Sequence, residues 1–269
     1  MLKLRILSVL IALPLLLAAM FLLPNPWWGI ALSVPLLVAG HEWARLAGFD
    51  RVWEAGFLTM LSAGCVLLWI MTRHEETNSE NILSMADRIV YVLSAIFWCI
   101  VAPYWLRLKL VVRHPTALAV AGLIVLLPTW LALVQLQNDA TLLLALLAVV
   151  WIADTAAYFT GRAWGRRKLA PAISPGKTWE GVAGAFVGVT IYALAFSLFL
   201  ERHPYSILPA FLAMTGLSIV GDLFESWLKR NAGVKDSGSL FAGHGGMLDR
   251  MDAVTAALPV AALIFISYR

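Results

Sequence analysis

The sequence predicts an all-helical protein that passes repeatedly through a lipid bilayer, and composition together with patterning carries that prediction. The 269 residues are 61% hydrophobic and only 13% charged, against about 45–50% and about 25% in ordinary soluble domains. The mean hydropathy is +0.82, and the apolar residues gather in runs long enough to cross a hydrocarbon core, which takes about 20 residues of helix. A soluble globule of this composition would lack the polar residues to cover its surface; disorder, collagen and coiled coil are excluded with it. Open strand edges cannot be satisfied in lipid, so each run is read as a helix. Cys65 and Cys99 both lie inside apolar runs, which argues against a disulfide framework or a thiolate zinc site. No solenoid-type repeat, low-complexity tract or flexible linker interrupts the pattern.

In chain order the runs are 6–23, 27–40, 52–72, 89–106, 116–136, 141–160, 179–200, 205–228 and 253–268, giving about nine transmembrane helices. The first has a basic start and a small-residue stretch at Ala18 and Ala19, as a cleavable signal peptide would. Eight further runs follow and none needs a secretory leader, so it is read as retained. The second is short, and His41-Glu42-Trp43-Ala44-Arg45 at its end resembles the opening of a zinc-helix motif but has Arg where the second His belongs. Trp27, Trp28, Trp53, Trp98 and Trp105 fall near predicted interfaces and read as belt residues. Arg107, Lys109 and Arg113 suit anionic lipid headgroups.

The net charge of +4 is less informative than its placement. With a cytoplasmic N-terminus and alternating spans, 16 of the 20 Lys and Arg residues fall on the cytoplasmic side, leaving only Arg73, Arg88, Arg202 and Arg269 opposite. The positive-inside rule therefore supports both count and orientation. A less characteristic N-terminal half, residues 1–136, precedes a C-terminal half, 137–269, with polar cytoplasmic loops at 161–178 and 229–252.

Acidic residues inside apolar spans are costly and usually face a cavity or a partner. Asp154, Asp222 and Glu225 are of this kind and lie towards the cytoplasmic ends of the sixth and eighth spans. Asp222, Glu225 and Lys229 form one helical stripe, with Ser226 and Arg230 beside it. The loop that follows carries Lys235, Asp236, Gly243, His244, Gly245 and Gly246, and the last helix opens with Asp249, Arg250 and Asp252. Two adjacent helices thus offer carboxylates at one membrane depth. Mg²⁺ takes one or two carboxylates plus substrate phosphates, and the flanking cations suit phosphate oxygens. Glycines near a helix N-terminus allow backbone N–H groups to approach an anion.

A second constellation runs from Asp154 through Tyr158 and Arg162, spaced four apart on one face, to Ser174-Pro175-Gly176-Lys177-Thr178. Its last three residues imitate the end of a P-loop, but Pro171 stands where the first motif glycine belongs and a helix precedes it where a strand is required. The prolines instead predict a stretched, rigid segment presenting Ser174, Lys177 and Thr178 to a ligand.

The run from Ser226 and Lys229-Arg230 through Lys235-Asp236, His244-Gly245-Gly246 and Asp249-Arg250-Met251-Asp252 closely resembles the signature of the phosphatidate cytidylyltransferases, or CDP-diglyceride synthases. Residues 173–181 resemble that family's second characteristic segment, and Glu42-Trp43-Ala44-Arg45 is a weaker local likeness. The resemblance implies transfer of CMP from CTP to phosphatidate with release of pyrophosphate, with Mg²⁺ and a second cation left open, at a bacterial-type inner membrane and on its cytoplasmic face. It implies metal binding by Asp222 and Asp249, helped by Asp252, Asp154 and Glu225. Lys229, Arg230, Lys235 and Lys177 would hold phosphates, with Ser226 and His244 orienting them; Asp236 and Arg250 belong to the same signature. Arg162, Ser174, Thr178, Gly245 and Gly246 complete the expected substrate contacts. No nucleic-acid partner is expected, and homodimerisation is compatible with the likeness. Two other readings stay open on residues alone: a CTP-dependent kinase or nucleotidyltransferase for another lipid, and an ion-coupled transporter.

Overall fold

The helix boundaries follow from local chemistry. In the computed structural model, which describes residues 13–76, 83–199, 204–238 and 245–267, α1 (Leu13–Leu22) and α2 (Asn25–Leu46) are parted at Pro24. After α3 (Arg51–Glu76), α4 (Met85–Ile96) starts with a capping box in which Ser84 and Asp87 satisfy each other's backbone N–H groups. A five-residue π-helical turn, Phe97–Val101, leads into α5 (Ala102–Leu108). Pro115 occupies the first turn of α6 (Pro115–Leu136), where its missing N–H costs nothing. A 3₁₀ turn separates it from α7 (Ala140–Trp164), which Asp139 caps by accepting from the Leu142 N–H. Two short antiparallel strands follow, β1 (Lys168–Ala170) and β2 (Ser174–Thr178), then α8 (Trp179–Phe199), α9 (Pro204–Asn231) and α10 (Leu248–Ser267).

The all-helical expectation therefore holds apart from one small hairpin. Among the described residues, five helical stretches are long and apolar enough to cross a membrane: Arg51–Thr72, Met85–Leu108, Pro115–Trp164, Trp179–Phe199 and Ile207–Asn231. The third is 50 residues long and includes both α6 and α7, broken only by the 3₁₀ turn. α2 and α10, which contain two further predicted spans, are helical but fall outside that set. The start of the first predicted span lies outside the described residues.

α10 is the hub, packing against α9, α6, α4 and α7. Its Ala256, Ala257, Leu258, Ala261 and Ala262 are fully buried, and small side chains let helices approach closely where lipid supplies no hydrophobic drive. Gly221 of α9 sits at the tightest point: a Cβ there would run into the Asp252 carbonyl and the Ala256 methyl. α7 and α8 pack in the same way, with Gly184 against Thr160. Three buried indoles tie α2 to α6: Trp28 donates to the Leu133 carbonyl, Trp43 to that of Leu118, and Trp130 to that of Gly29, at 2.9, 3.0 and 3.1 Å.

This corrects part of the belt assignment. Trp27 and Trp53 are exposed, but Trp28, Trp98 and Trp105 are buried. Trp105 bonds to the Leu110 carbonyl, and Trp98 packs edge-on against Phe224. A tryptophan near a helix end serves either place, because its apolar body suits protein and lipid alike.

Candidate active site

The β1–β2 hairpin forms because residues 171–173 turn the chain between two extended stretches, pairing Lys168 with Thr178 and Ala170 with Ser174. Its base is fastened by the Glu180 carboxylate, which accepts from the backbone N–H groups of Arg166 (3.1 Å) and Arg167 (3.2 Å). Thr178 caps the start of α8 by accepting from the Gly181 N–H at 3.1 Å. From α9, Arg230 Nε reaches the Ile173 carbonyl at 3.2 Å and ties the hairpin turn to the bundle. The stretched segment expected around Ser174–Thr178 is thus a strand, pinned at both ends.

Between this hairpin and helices α7, α8 and α9 lies a cavity of about 420 Å³, within the roughly 300–1,000 Å³ typical of small-molecule sites. Asp154, Tyr158 and Arg162 line it from α7, Ser174, Gly176, Lys177 and Thr178 from the hairpin, and Asp222 from α9. The four-residue recurrence on α7 therefore does place acid, phenol and guanidinium on one wall, and Arg162 donates to the Tyr158 hydroxyl at 3.0 Å. Lys177 Nζ lies 2.5 Å from Asp222 Oδ2, and Ser226 donates to the other Asp222 oxygen at 3.3 Å.

A second charged group sits where α9 meets α10. Lys229 Nζ bridges Glu225 at 2.8 Å and Asp249 at 2.5 Å. Asp249 also accepts from the Ser237 and Gly246 backbone N–H groups at 2.9 and 2.7 Å, and its Oδ2 lies 2.9 Å from the Ser237 Oγ, whose one proton it shares with Glu42. Burial pushes the Asp249 carboxyl up, but Lys229 and these N–H groups outweigh it and hold the acid below the usual carboxylate range. Gly245 adopts φ +80°, and a Cβ there would run into Asp249.

The two groups are joined by acids. Asp252 lies within electrostatic reach of Asp222, Glu225 and Asp154, while Asp249 meets Glu225 through Lys229. So the acidic neighbours of Asp222 are Asp154 and Asp252, and the Asp249 oxygens are engaged by protein donors. Among the described residues no three His, Cys, Asp or Glu side chains are gathered into a metal cage. The donor set still suits Mg²⁺, which fills its shell with phosphates and water once one or two carboxylates are supplied. One Glu225 oxygen, Oε1, is buried without a hydrogen-bond partner.

Other expected residues stand apart. Lys235 and Asp236 are exposed beyond the end of α9, and Arg250 is exposed on the first turn of α10. Arg230 spends its guanidinium on the backbone carbonyls of Ile173 and Val234. His244 and Gly243 lie outside the described residues. The sequence reading missed Glu42 and Ser237. Glu42 of α2 is buried and accepts from the Ser237 hydroxyl and from the Met247 and Leu248 N–H groups. The glycine-rich turn does meet an anion at a helix N-terminus, and in this structure that anion is the protein's own carboxylate. The rule that acids beside apolar spans are functional applies to Glu42 as it does to Asp154, and that was the available signal. His41, its neighbour, pairs with Glu54 at 2.6 Å.

Comparison with known proteins decides the family. A model described as the cytidylyltransferase family matches residues 3–268. The chain belongs to that family. It is 36% identical to a phosphatidate cytidylyltransferase of Pseudomonas aeruginosa, over 98% of this chain and 97% of the relative. It is 31% identical to one from Haemophilus influenzae, over 96% of each. A third, from Thermotoga maritima, is 43% identical over 45% of this chain and 48% of its own. In this chain, cations and carboxylates from three elements, α7, β2 and α9, line one cavity.

Proposed function

We propose that this chain is a phosphatidate cytidylyltransferase: a phosphate oxygen of phosphatidate attacks the α-phosphorus of CTP, the bond to the β-phosphate breaks, and CDP-diacylglycerol and pyrophosphate are formed. The observation that carries this reading is near-full-length similarity to enzymes so named. The cavity chemistry supports it. A phosphate monoester has its second pKa near 6 and is largely ionised at neutral pH, so no general base is required. The remaining obstacles are repulsion between two anions and charge gathering on pyrophosphate, which cations address.

Lys177, held on a rigid strand, meets phosphate charge, and Arg162 lines the same cavity from α7. Mg²⁺ would be held by Asp222 with Asp154 or Asp252, and when bound it would screen the phosphates and stabilise the departing charge. Asp249 then serves chiefly to fix Lys229 and the turn before α10. Ser226 orients the Asp222 carboxylate. The lipid substrate stays anchored while CTP arrives from the aqueous side, which suits a site at the ends of α7 and α9.

The reading extends to nine membrane-crossing helices in an inner membrane, with the hairpin and the 229–252 loop in the cytoplasm. A single cysteine introduced at Gly176 should react with an impermeant thiol reagent only after the cytoplasmic face is opened; labelling in intact cells refutes that orientation. The activity is tested with purified protein, phosphatidate liposomes, Mg²⁺ and CTP labelled at either the α or the γ phosphate. Label should enter lipid from α-labelled CTP only. Transfer of the γ label would make the chain a lipid kinase and end the proposal.

A further inference from the structure

Among the described residues, Glu42 is the one carboxylate that the N-terminal half sends into the turn before α10, and the reaction outlined above gives it no task. It is 3% exposed, and its hydrogen-bonding partners among the described residues come from the C-terminal half. Oε1 accepts from the Met247 N–H at 2.9 Å, and Oε2 from the Leu248 N–H and the Ser237 hydroxyl, both at 2.8 Å. Both oxygens act as acceptors, and two of the donors are free N–H groups of a helix start, where a negative charge is favoured. The fit leaves no room for other side chains: a Cβ on Gly238 or on Gly246 would run into this carboxylate. Those glycines are therefore required by Glu42 and not only by the turn.

The contacts continue towards the reacting face. Ser237 Oγ lies 2.8 Å from Glu42 and 2.9 Å from Asp249, and the Ser237 N–H donates to Asp249 as well. Asp249 in turn holds Lys229, which holds Glu225 on α9. Behind α9, Phe224 is packed by Trp43 of α2, next to Glu42 in sequence, with ring centroids 6.5 Å apart. One turn of α2 thus braces both α9 and the start of α10.

We infer that Glu42 is a positioning residue for cytidylyl transfer, holding Ser237 and the first turn of α10 so that Asp249 and Lys229 keep their places beside the acids of α9. The role rests on the function proposed above. Gln keeps the size of Glu42 but turns one acceptor into a donor, which in either orientation must face a backbone N–H, of Met247 or Leu248, that also donates.

The experiment compares wild type, Glu42→Gln, Ser237→Ala and the double variant, as full-length protein in phosphatidate liposomes with CTP and Mg²⁺. Glu42→Gln should lower kcat by about 10²-fold, as small misplacements of catalytic groups do, with KM for CTP within about threefold. Amide exchange over residues 245–250 should rise about tenfold or more while that of α8 stays unchanged. Ser237→Ala should lower kcat by about tenfold, and the double variant should fall short of the product of the single effects, because the two act through one contact. Wild-type kcat in Glu42→Gln, or unchanged exchange over residues 245–250, overturns the inference. Should Glu42→Gln fail to fold, Ser237→Ala decides: full activity there overturns it too. The exchange measurement needs no turnover, so a wild-type protein that transfers nothing would refute the proposed function while the clamp was still being read.

Discussion

The two lysine–carboxylate groups of this site use the same chemistry in different surroundings. Lys177 and Asp222 face the cavity, with side chains 25% and 30% exposed. Lys229, Glu225 and Asp249 are 12%, 5% and 10% exposed. An open pair can give up its partner to an arriving phosphate or cation, because water and ligand share the cost of separation. A buried group cannot, since removing one member leaves an uncompensated charge in a poorly solvated place. The difference teaches that charge near the reaction has two duties here. On the proposed function the exposed pair would open to a ligand, whereas the buried group fixes α9 against α10.

Four substitutions test that division, beginning with the most damaging. Lys229→Met should lower stability by about 3–5 kcal/mol, the cost of orphaning buried charge, seen as a large drop in the thermal unfolding midpoint in detergent. Adding Glu225→Gln should return part of the loss, because Asp249 keeps its donors on Ser237 and Gly246. A K229M protein as stable as wild type would break the comparison. Next, Asp222→Asn should leave the midpoint within a few degrees but reduce CMP transfer about 10³-fold, about 4 kcal/mol of transition-state stabilisation. Least severe, Lys177→Met should cut kcat/KM for CTP about 10²-fold, about 2.7 kcal/mol, again without loss of fold. If Lys177→Met proved as destabilising as Lys229→Met, the cavity pair would be scaffolding as well.

Much of this was legible in the sequence, for a physical reason. Carboxylates in an apolar span are expensive, so Asp154, Asp222 and Glu225 stood out from their surroundings, and helical spacing then put Tyr158 and Arg162 on the wall where the structure has them. The prolines of the 161–178 loop announced an extended segment, though not its pairing with Lys168–Ala170, because three residues hold too little pattern to mark a strand. Pairing between distant helices was also invisible. Glu42 finds Ser237 across 195 residues; its place beside an apolar span marks it as an unusual acid but does not say which distant groups it meets. The engagement of Asp249 by backbone N–H groups depends on a turn whose shape no single residue states. Trp28 and Trp98 show the converse: they were expected in the interfacial belt but are buried, because burial depends on neighbours contributed by α6 and α9.

Gly221 sets a limit on how this enzyme can be altered. Since α9 touches the α10 backbone there, a larger residue would pry Asp222 away from Asp252 before it opened any space for substrate. Attempts to admit bulkier lipids or nucleotides would have to carve into Ile219, one turn before Asp222 on α9, or Val182 on α8, both of which line the cavity, where a smaller side chain widens the chamber and leaves the α9–α10 contact alone.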